Sequence, residues 1–386
     1  MKVLFYRYNN ICERDVLQGF LELGVEIAEL WHAEGKPSDR IRAVTGELQR
    51  APVDFVFSID FFPMVAESCR LFHIRYLCWT VDAPVLTLYA KQAAYDCNRI
   101  FCFDSAQAAE IEVFNPGHVF YLPIAAPVAG RQAAVEKCTD RERYASDLSF
   151  VGSLYEEQRD YDRHSGLPDA LAGRLDGILE AGSHLHAVYL PELLVTEEDA
   201  ETFHLYMEGF PVLPGESFLT DKVVLTQLLM ANKMTCLERH RIIGKLGKRF
   251  GIQVWTGSDT TGFTGVDNRG FANTATEMPV IFAQSRINLN HTMRGIRNGV
   301  SLRVWDILAS GGFCLTDAQP DLYDLLPVGE ALAVYENAED LLEKTDWYLT
   351  HESERREIAA EGLRMVRERH GYPQRLLRLL ELGLTG

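Results

Sequence analysis

The sequence of 386 residues lacks the signals of several protein classes. None of its eight cysteines forms a CxxC pair, so neither a zinc site nor a thiol–disulfide motif is indicated. No stretch approaches the roughly 18 apolar residues of a membrane span. The apolar run before Arg7 is too short for the core of an export signal. These absences predict a cytoplasmic chain with reduced cysteines and no transmembrane segment.

Positive charge is also scarce. Lysine and arginine number 38 against 55 aspartates and glutamates, which gives a formal net charge of −17. A field of this sign repels the phosphates of DNA and RNA, so no nucleic-acid partner is expected. Neither GxGxxG nor GxxxxGK[ST] occurs, which argues against dinucleotide-dependent hydride transfer and against P-loop chemistry.

What the sequence does contain is an alternation of short apolar runs with helical patterns. The run 2–6 is typical of a buried strand, and 13–24 has the apolar spacing of a helix. Strands that alternate with helices predict βαβ units around a parallel sheet. The predicted strands are 2–6, 25–30, 53–60, 75–82, 99–104, 118–126, 147–155, 252–257, 286–290, 313–317 and 332–336.

A polar stretch at 127–146 is predicted to be a linker between two domains. The first α/β domain is predicted over 1–145 and the second over 146–370. A helical insertion is expected at about 157–247, and a final helix at 371–386 is expected to pack back on the first domain. The predicted fold class is α/β, with two Rossmann-like domains that face each other across a cleft where a ligand would bind.

The segment 285–317 is the most informative part of the sequence. It is predicted to run from strand to loop to helix, and then through two glycines to another strand. A helix N-terminus offers unpaired N–H groups, glycines allow close approach, and arginines add charge-assisted bonds, so this loop is a candidate diphosphate site. The candidate residues in and beside the loop are Asn290, Arg294, Arg297 and Gly299, with Ser301 as the N-cap.

Arg303 and Asp306 are three residues apart and therefore share one face of the helix that follows. Asp306 is a candidate for the two hydroxyl groups of a ribose, and Gly311 and Gly312 would permit close approach of the chain to a ligand. The alternative interpretation is a plain ion pair between Arg303 and Asp306, followed by a helix that ends at Gly311.

The stretch from 281 to 370 resembles the C-terminal domain of the CgeB-like glycosyltransferases, relatives of the group 1 transferases of GT-B fold. The motifs are SRINLN (285–290), NGVSLRVWDILASGGFCLTD (298–317) and the helical segment that follows. The first half is similar to the uncharacterised domain that often precedes it, through VDFVFSIDFFP (53–63), YLCWTVDAP (76–84) and LSFVGSLY (148–155).

This resemblance implies a metal-independent enzyme without a cofactor, whose donor substrate is a nucleotide-diphosphate sugar bound to the C-terminal domain. Asp306 matches the acidic residue expected at the ribose. Gly152 and Ser153 match the glycine turn near the diphosphate. Arg286 matches a basic position, often lysine, that neutralises phosphate.

Transfer to an acceptor hydroxyl by an inverting enzyme requires a general base. Asp60 and Asp82 follow predicted strands of the first domain and are candidates, although either residue could instead cap a turn or a helix. His291 is a third candidate, beside the predicted phosphate loop, with a structural histidine as its alternative interpretation.

The sequence thus predicts a glycosyltransferase (class 2.4) that acts on an unidentified protein, glycan or small-molecule acceptor. Two alternatives remain open. One is a sugar-nucleotide epimerase or hydrolase on the same fold, since a fold does not determine a function. The other is a non-catalytic scaffold or binding subunit.

Overall fold

A computed structural model describes residues 1–32, 35–156, 160–185 and 188–385. The chain divides into two compact units. Unit 1 comprises 1–125, 212–219 and 370–386, and unit 2 comprises 126–211 and 220–369.

The strands are β1 (Lys2–Arg7), β2 (Glu26–Trp31), β3 (Phe55–Ile59), β4 (Arg75–Trp79), β5 (Asn98–Cys102), β6 (Val119–Tyr121), β7 (Ser146–Val151), β8 (Ile252–Trp255), β9 (Val266–Asn268), β10 (Ser285–Asn290), β11 (Cys314–Asp317) and β12 (Ala333–Tyr335). The α-helices are α1 (Glu13–Glu22), α2 (Pro37–Arg50), α3 (Pro63–Phe72), α4 (Ser105–Glu112), α5 (Val128–Lys137), α6 (Asp169–Gly182), α7 (Leu190–Leu194), α8 (Glu197–Tyr206), α9 (Asp221–Val223), α10 (Ala231–Phe250), α11 (Met278–Gln284), α12 (Leu302–Ala309), α13 (Pro320–Leu325), α14 (Ala338–Thr350), α15 (Glu352–Arg369) and α16 (Tyr372–Leu384). A π-helix, Val224–Met230, joins α9 to α10.

Unit 1 is built on a parallel sheet with the strand order β2-β1-β3-β4-β5-β6. Every residue of β3 and β5 is buried. Burial accounts for the mainly apolar sequence of β3, because helices cover both faces of such a sheet. The two polar residues of β5, Asn98 and Arg99, are buried with main-chain carbonyls as hydrogen-bond acceptors. The last helix, α16, packs on α1. A Cβ atom at Gly19 of α1 would lie 2.7 Å from the Leu376 side chain, so the two helices approach closely at this glycine.

Unit 2 is built on a second parallel sheet, with the order β12-β11-β10-β7-β8-β9. Counted from the first strand of the unit, this order is 6-5-4-1-2-3, which is the strand order of dinucleotide-binding domains. Its core combines the inward faces of these strands with α10, α14 and α15, through residues such as Leu148, Ile243, Leu289 and Leu341.

The structure differs from the sequence-based expectation at the boundary between the units. The polar stretch 127–146 is not a linker but contains α5, which packs against α11 and α12 of unit 2. Unit 2 therefore begins at Ala126. The strand β9 was also not predicted, because its sequence VDN is short, polar and half exposed at the sheet edge.

A helical section was predicted at 157–247, and the structure places α6 to α10 there. Residues 157–159 and 186–187 of this section lie outside the described residues. Residues 212–219 of this section belong to unit 1, where Phe218 stacks on Phe114. Among the described helices, none combines the length and apolar character needed to cross a membrane. All eight cysteines are free thiols.

Candidate active site

The strand order of unit 2 reverses between β7 and β10. In open α/β sheets, ligands bind outside the carboxyl ends of the strands at such a switch point. Gly152 and Ser153 follow β7, and His291 and Thr292 follow β10. The predicted glycine turn at Gly152 and Ser153 therefore lies at this switch point.

Arg239 of α10 connects the two loops at the switch point. Its Nη1 donates to the main-chain carbonyl of Ser153 at 2.6 Å, and its Nη2 donates to that of His291 at 2.5 Å. The guanidinium lies 4.9 Å from the ring centroid of Tyr155. Its Nε is buried and has no hydrogen-bond partner. Arg239 is thus a buried cation held by carbonyl groups, and the sequence analysis missed it because no motif surrounds it.

Glu238, the neighbour of Arg239, is the centre of a buried ion network. Its carboxylate lies 3.0 Å from Nε2 of His291 and accepts from Nε of Arg294 at 2.9 Å. Burial alone would raise the pKa of Glu238, but the hydrogen bond from His291 and the charge of Arg294 hold it at about 2. Glu238 is therefore ionised throughout the neutral range.

His291 was predicted to be catalytic, and its surroundings argue against this role. Its side chain is 1 % exposed. Its Nδ1 lies 2.8 Å from the Tyr335 hydroxyl, while its Nε2 faces Glu238. Because both ring nitrogens have buried partners, His291 is a structural histidine that fixes the start of the loop after β10.

The loop after β10 is fastened to the helical section by its two arginines. The main-chain N–H of Arg294 donates to the Thr235 hydroxyl at 2.9 Å, and its side chain binds Glu238. Arg297 donates to Glu192 of α7 at 3.1 Å. Both predicted phosphate ligands thus have carboxylate partners, so their main effect in this structure is to order the loop that contains Gly299.

The helix α12 begins directly after this loop. Ser301 occupies the N-cap position, but its hydroxyl donates to Oδ1 of Asn290 at 3.3 Å and forms no cap hydrogen bond. Asn290 in turn donates to the Thr316 hydroxyl at 2.9 Å, so it ties β10 to β11 and to Ser301. The first-turn N–H groups of α12 therefore lack a side-chain cap from Ser301, which suits an anionic ligand.

Asp306 was predicted to bind ribose, and in this structure its carboxylate is buried between two arginines. Its side chain is 1 % exposed. Oδ1 accepts from Nε and Nη2 of Arg131 at 3.0 and 2.9 Å, and Oδ2 accepts from Arg303 at 3.1 Å. Both oxygens are therefore occupied within an ion network that joins α12 to α5. The polar stretch that was interpreted as a linker supplies Arg131, the principal partner.

Arg286 was predicted to neutralise phosphate, but it lies at the wrong edge of the sheet. It is the second residue of β10, about 13 Å from the carboxyl end at ~3.3 Å per residue. Its guanidinium binds Asp147 at 2.8 Å and the main-chain carbonyl of Leu349. This arginine therefore fixes the amino end of β10.

Gly311 and Gly312 also precede a strand, β11, and lie away from the crevice. Gly311 has a φ of 79°, and the N–H groups of Gly311 and Gly312 donate to the carbonyls of Leu308 and Ile307, both at 3.0 Å. This pattern is a Schellman motif that ends α12. A Cβ atom at Gly312 would lie 2.5 Å from the carbonyl oxygen of Phe282. The two glycines thus serve helix termination and packing.

Unit 1 has its own switch point, between β1 and β3. Tyr8 follows β1, Asp60 follows β3, and Asp82 follows β4. The hydroxyl of Tyr8 donates to Oδ2 of Asp60 and accepts from the Asn10 amide. The structure therefore brings the two predicted carboxylates together and adds a tyrosine that the sequence analysis did not single out.

Burial, followed by the charge of Asp82, raises the pKa of Asp60 to about 7. The hydrogen bonds from Tyr8 and from the Val81 N–H act in the opposite direction. A carboxyl group whose pKa lies near neutrality exchanges protons readily at physiological pH, which is the property required of a general base.

Comparison with known proteins is consistent with this architecture. Residues 226–381 match the sequence profile of the family described as "Glycosyl transferase-like". No curated protein matches the chain in sequence.

Several solved structures share the fold over almost the whole of both chains. The UDP-forming α,α-trehalose-phosphate synthase from Burkholderia xenovorans is 13% identical, with a TM-score of 0.56 and coverage of 100% of this chain and 99% of that one. HepE from Anabaena, in complex with UDP and glucose, is 10% identical, with a TM-score of 0.53 and 99% coverage of each chain. Sucrose-phosphate synthase from Thermosynechococcus elongatus is 10% identical, with a TM-score of 0.52 and coverage of 99% and 98%.

The chain therefore has the α/β fold of the GT-B glycosyltransferases, and residues 226–381 are similar in sequence to the family described as "Glycosyl transferase-like".

Proposed function

We propose that the protein is a metal-independent, CgeB-like glycosyltransferase that moves a sugar from a nucleotide-diphosphate sugar to an acceptor. The observation that carries this proposal is the position of the family match. The matched residues 226–381 include α10, β10, the loop after it and α12, which lie at or beside the switch point of unit 2. The sequence similarity and the ligand crevice of the fold thus coincide.

Unit 2 would bind the donor. The first turn of α12 provides main-chain N–H groups after β10, and the turn at Gly152 and Ser153 would allow close approach of a ligand at the carboxyl end of β7. Such groups stabilise a diphosphate without requiring a metal ion, because the helix dipole and the N–H donors are already oriented. Cleavage of the bond to the sugar leaves negative charge on the diphosphate, so the same groups would stabilise the transition state.

Unit 1 would supply the general base. Asp60, with its pKa of about 7, would accept the proton of the acceptor hydroxyl. Asp82 would favour this transfer electrostatically, because a second negative charge makes the protonated form of Asp60 more favourable. The similar solved structures include Anabaena HepE bound to UDP-glucose, which supports a nucleotide-diphosphate sugar as the donor.

A thermal-shift screen with UDP, GDP, dTDP, CMP and their sugars tests the donor site, because a ligand that binds only the folded state raises Tm. The sugar nucleotide that gives the largest shift would then be incubated with the protein, with and without panels of glycans, peptides and small molecules. Transfer of the sugar in the presence of EDTA is expected.

Each other outcome of this assay would indicate a different function for the protein. Free sugar released without an acceptor would indicate a hydrolase, and an altered sugar nucleotide would indicate an epimerase. Absence of any Tm shift at millimolar ligand would contradict the donor proposal and favour a non-catalytic scaffold.

A further inference from the structure

Arg239 has an unusual electrostatic environment for a buried arginine. The residue is 9 % exposed, and its two terminal nitrogens donate hydrogen bonds to main-chain carbonyls. Within the described residues, it forms no ion pair with a carboxylate. Removing a guanidinium from water without a paired anion is costly, so the position of Arg239 calls for an explanation.

The location of Arg239 indicates what the anion would be. The two carbonyls that it binds belong to Ser153, after β7, and His291, after β10. These residues lie on opposite sides of the switch point of unit 2. The adjacent carboxylate, Glu238, is already neutralised by Arg294 and hydrogen-bonded to His291. Asp317 and Glu238 act on Arg239 by coulombic attraction, but neither forms an ion pair with it within the described residues, so its positive charge is also available to the crevice.

We propose that Arg239 is the positioning residue of the donor site, which fixes the spacing of the β7 and β10 loops and whose unpaired charge makes the crevice selective for a diphosphate over a monophosphate. This inference rests on the proposed function and extends it to a residue outside the loop of predicted phosphate ligands. Arg239 acts through the two loops and through its field, and direct contact with the ligand is not required.

The phosphate dependence of binding separates this role from a purely structural one. The test measures Kd by calorimetry for UDP, GDP and dTDP, each against its monophosphate, and for inorganic pyrophosphate. The variants are Arg239→Met, which removes the charge and both donors, and Arg239→Lys, which keeps the charge. Arg241→Met is the matched control, because Arg241 lies on the same helix but donates to Ser183.

In the wild-type protein, the diphosphate that binds best is expected to be preferred over its monophosphate. Arg239→Met should reduce that preference at least tenfold, whereas Arg241→Met should leave it unchanged. Arg239→Lys should retain most of it, and this variant decides the question if Arg239→Met does not fold.

An unchanged preference in folded Arg239→Met would overturn the proposal, and so would an Arg239→Lys protein that has lost the preference completely. The proposed function can fail separately. A wild-type protein that binds pyrophosphate in an Arg239-dependent manner, but no nucleotide, would support the anion site and contradict the sugar-nucleotide donor. Binding of neither ligand would overturn both.

Discussion

Arg131 donates two hydrogen bonds to a single oxygen of Asp306, at 3.0 and 2.9 Å, and thereby joins α5 to α12 across 175 positions of sequence. Arg303 binds the other oxygen. The carboxylate that resembles a family ribose ligand is thus the buried centre of an ion network, and this relationship determines how its mutation should behave.

Asp306→Ala is expected to destabilise the protein by about 3–5 kcal/mol, because it leaves two arginines without their shared anion. The free energy of unfolding by urea measures this effect. Asp324→Ala serves as the control, since Asp324 is exposed on α13 and its removal should change stability by less than about 0.5 kcal/mol. Near-wild-type stability of Asp306→Ala, combined with a large loss of nucleotide affinity, would restore the ribose assignment.

Gly312, which follows α12, gives a second test that distinguishes a structural role from a ligand-binding role. Gly312→Ala should cost about 1–3 kcal/mol, because the new methyl group would meet the carbonyl of Phe282 at 2.5 Å. Gly46→Ala in α2 is the comparison, since nothing lies within 4 Å of its Cβ position. That change should stabilise the helix by about 0.5–1 kcal/mol. If Gly312→Ala melts like the wild type, the packing role assigned to Gly312 is wrong.

Asp60 should make the stability of the protein depend on pH. Its pKa is raised on folding from about 3.8 to about 7, so the stabilisation that it contributes is complete below about pH 4 and is lost as the pH rises through 7. Asp60→Asn removes this titration and preserves the side-chain shape. The free energy of unfolding of the variant minus that of the wild type should therefore increase by at least ~1 kcal/mol from pH 5 to pH 8.

Urea titrations at a series of pH values measure this difference. Asp96→Asn is the control, because Asp96 is an exposed residue of the same unit. A pH-independent difference for Asp60→Asn would show that Asp60 has an ordinary pKa, and would remove the main argument for its role as the base.

The hydrogen bond from Tyr8 lowers the pKa of Asp60, in opposition to burial and to the charge of Asp82. This hydrogen bond favours the carboxylate, so Tyr8→Phe should raise the pKa of Asp60 further. Carbon-13 NMR of labelled aspartate carboxyls, assigned with Asp60→Asn, would report the shift directly. Tyr95→Phe removes a comparable bond to Glu67 and should leave the Asp60 resonance unchanged. A lower midpoint in Tyr8→Phe would contradict the assignment of Tyr8 as donor.

The sequence predicted most of the strands because buried parallel strands are largely apolar runs, such as FVFSI in β3. It failed for β9, whose edge position requires no apolar residues. It also failed for α5, where a polar composition concealed Arg131, the partner of a buried aspartate. A polar composition predicts exposure to solvent, but it does not show which charged residue forms an ion pair with a residue distant in the sequence.

The candidate site was predictable only in part. Residues that follow strands, such as Gly152 and Asp60, were located correctly at carboxyl edges because strand polarity follows from chain order. Arg286 was misplaced because a match to a motif ignores which end of its strand a residue occupies. Arg239 could not be found at all, since its role depends on two main-chain carbonyls that lie 138 residues apart along the chain, at Ser153 and His291.

The packing of α16 on α1 has a consequence for biosynthesis. Unit 1 begins at the first residue but requires 370–386 for completion, and Leu376 fills the space above Gly19. A ribosome that emits the chain from its N-terminus therefore releases the α1 surface long before its cover exists. All strands of unit 2 are synthesised before α16, so the sheet of unit 2 can form while unit 1 still lacks its last helix. The usual order, in which the N-terminal domain completes its folding first, is therefore reversed.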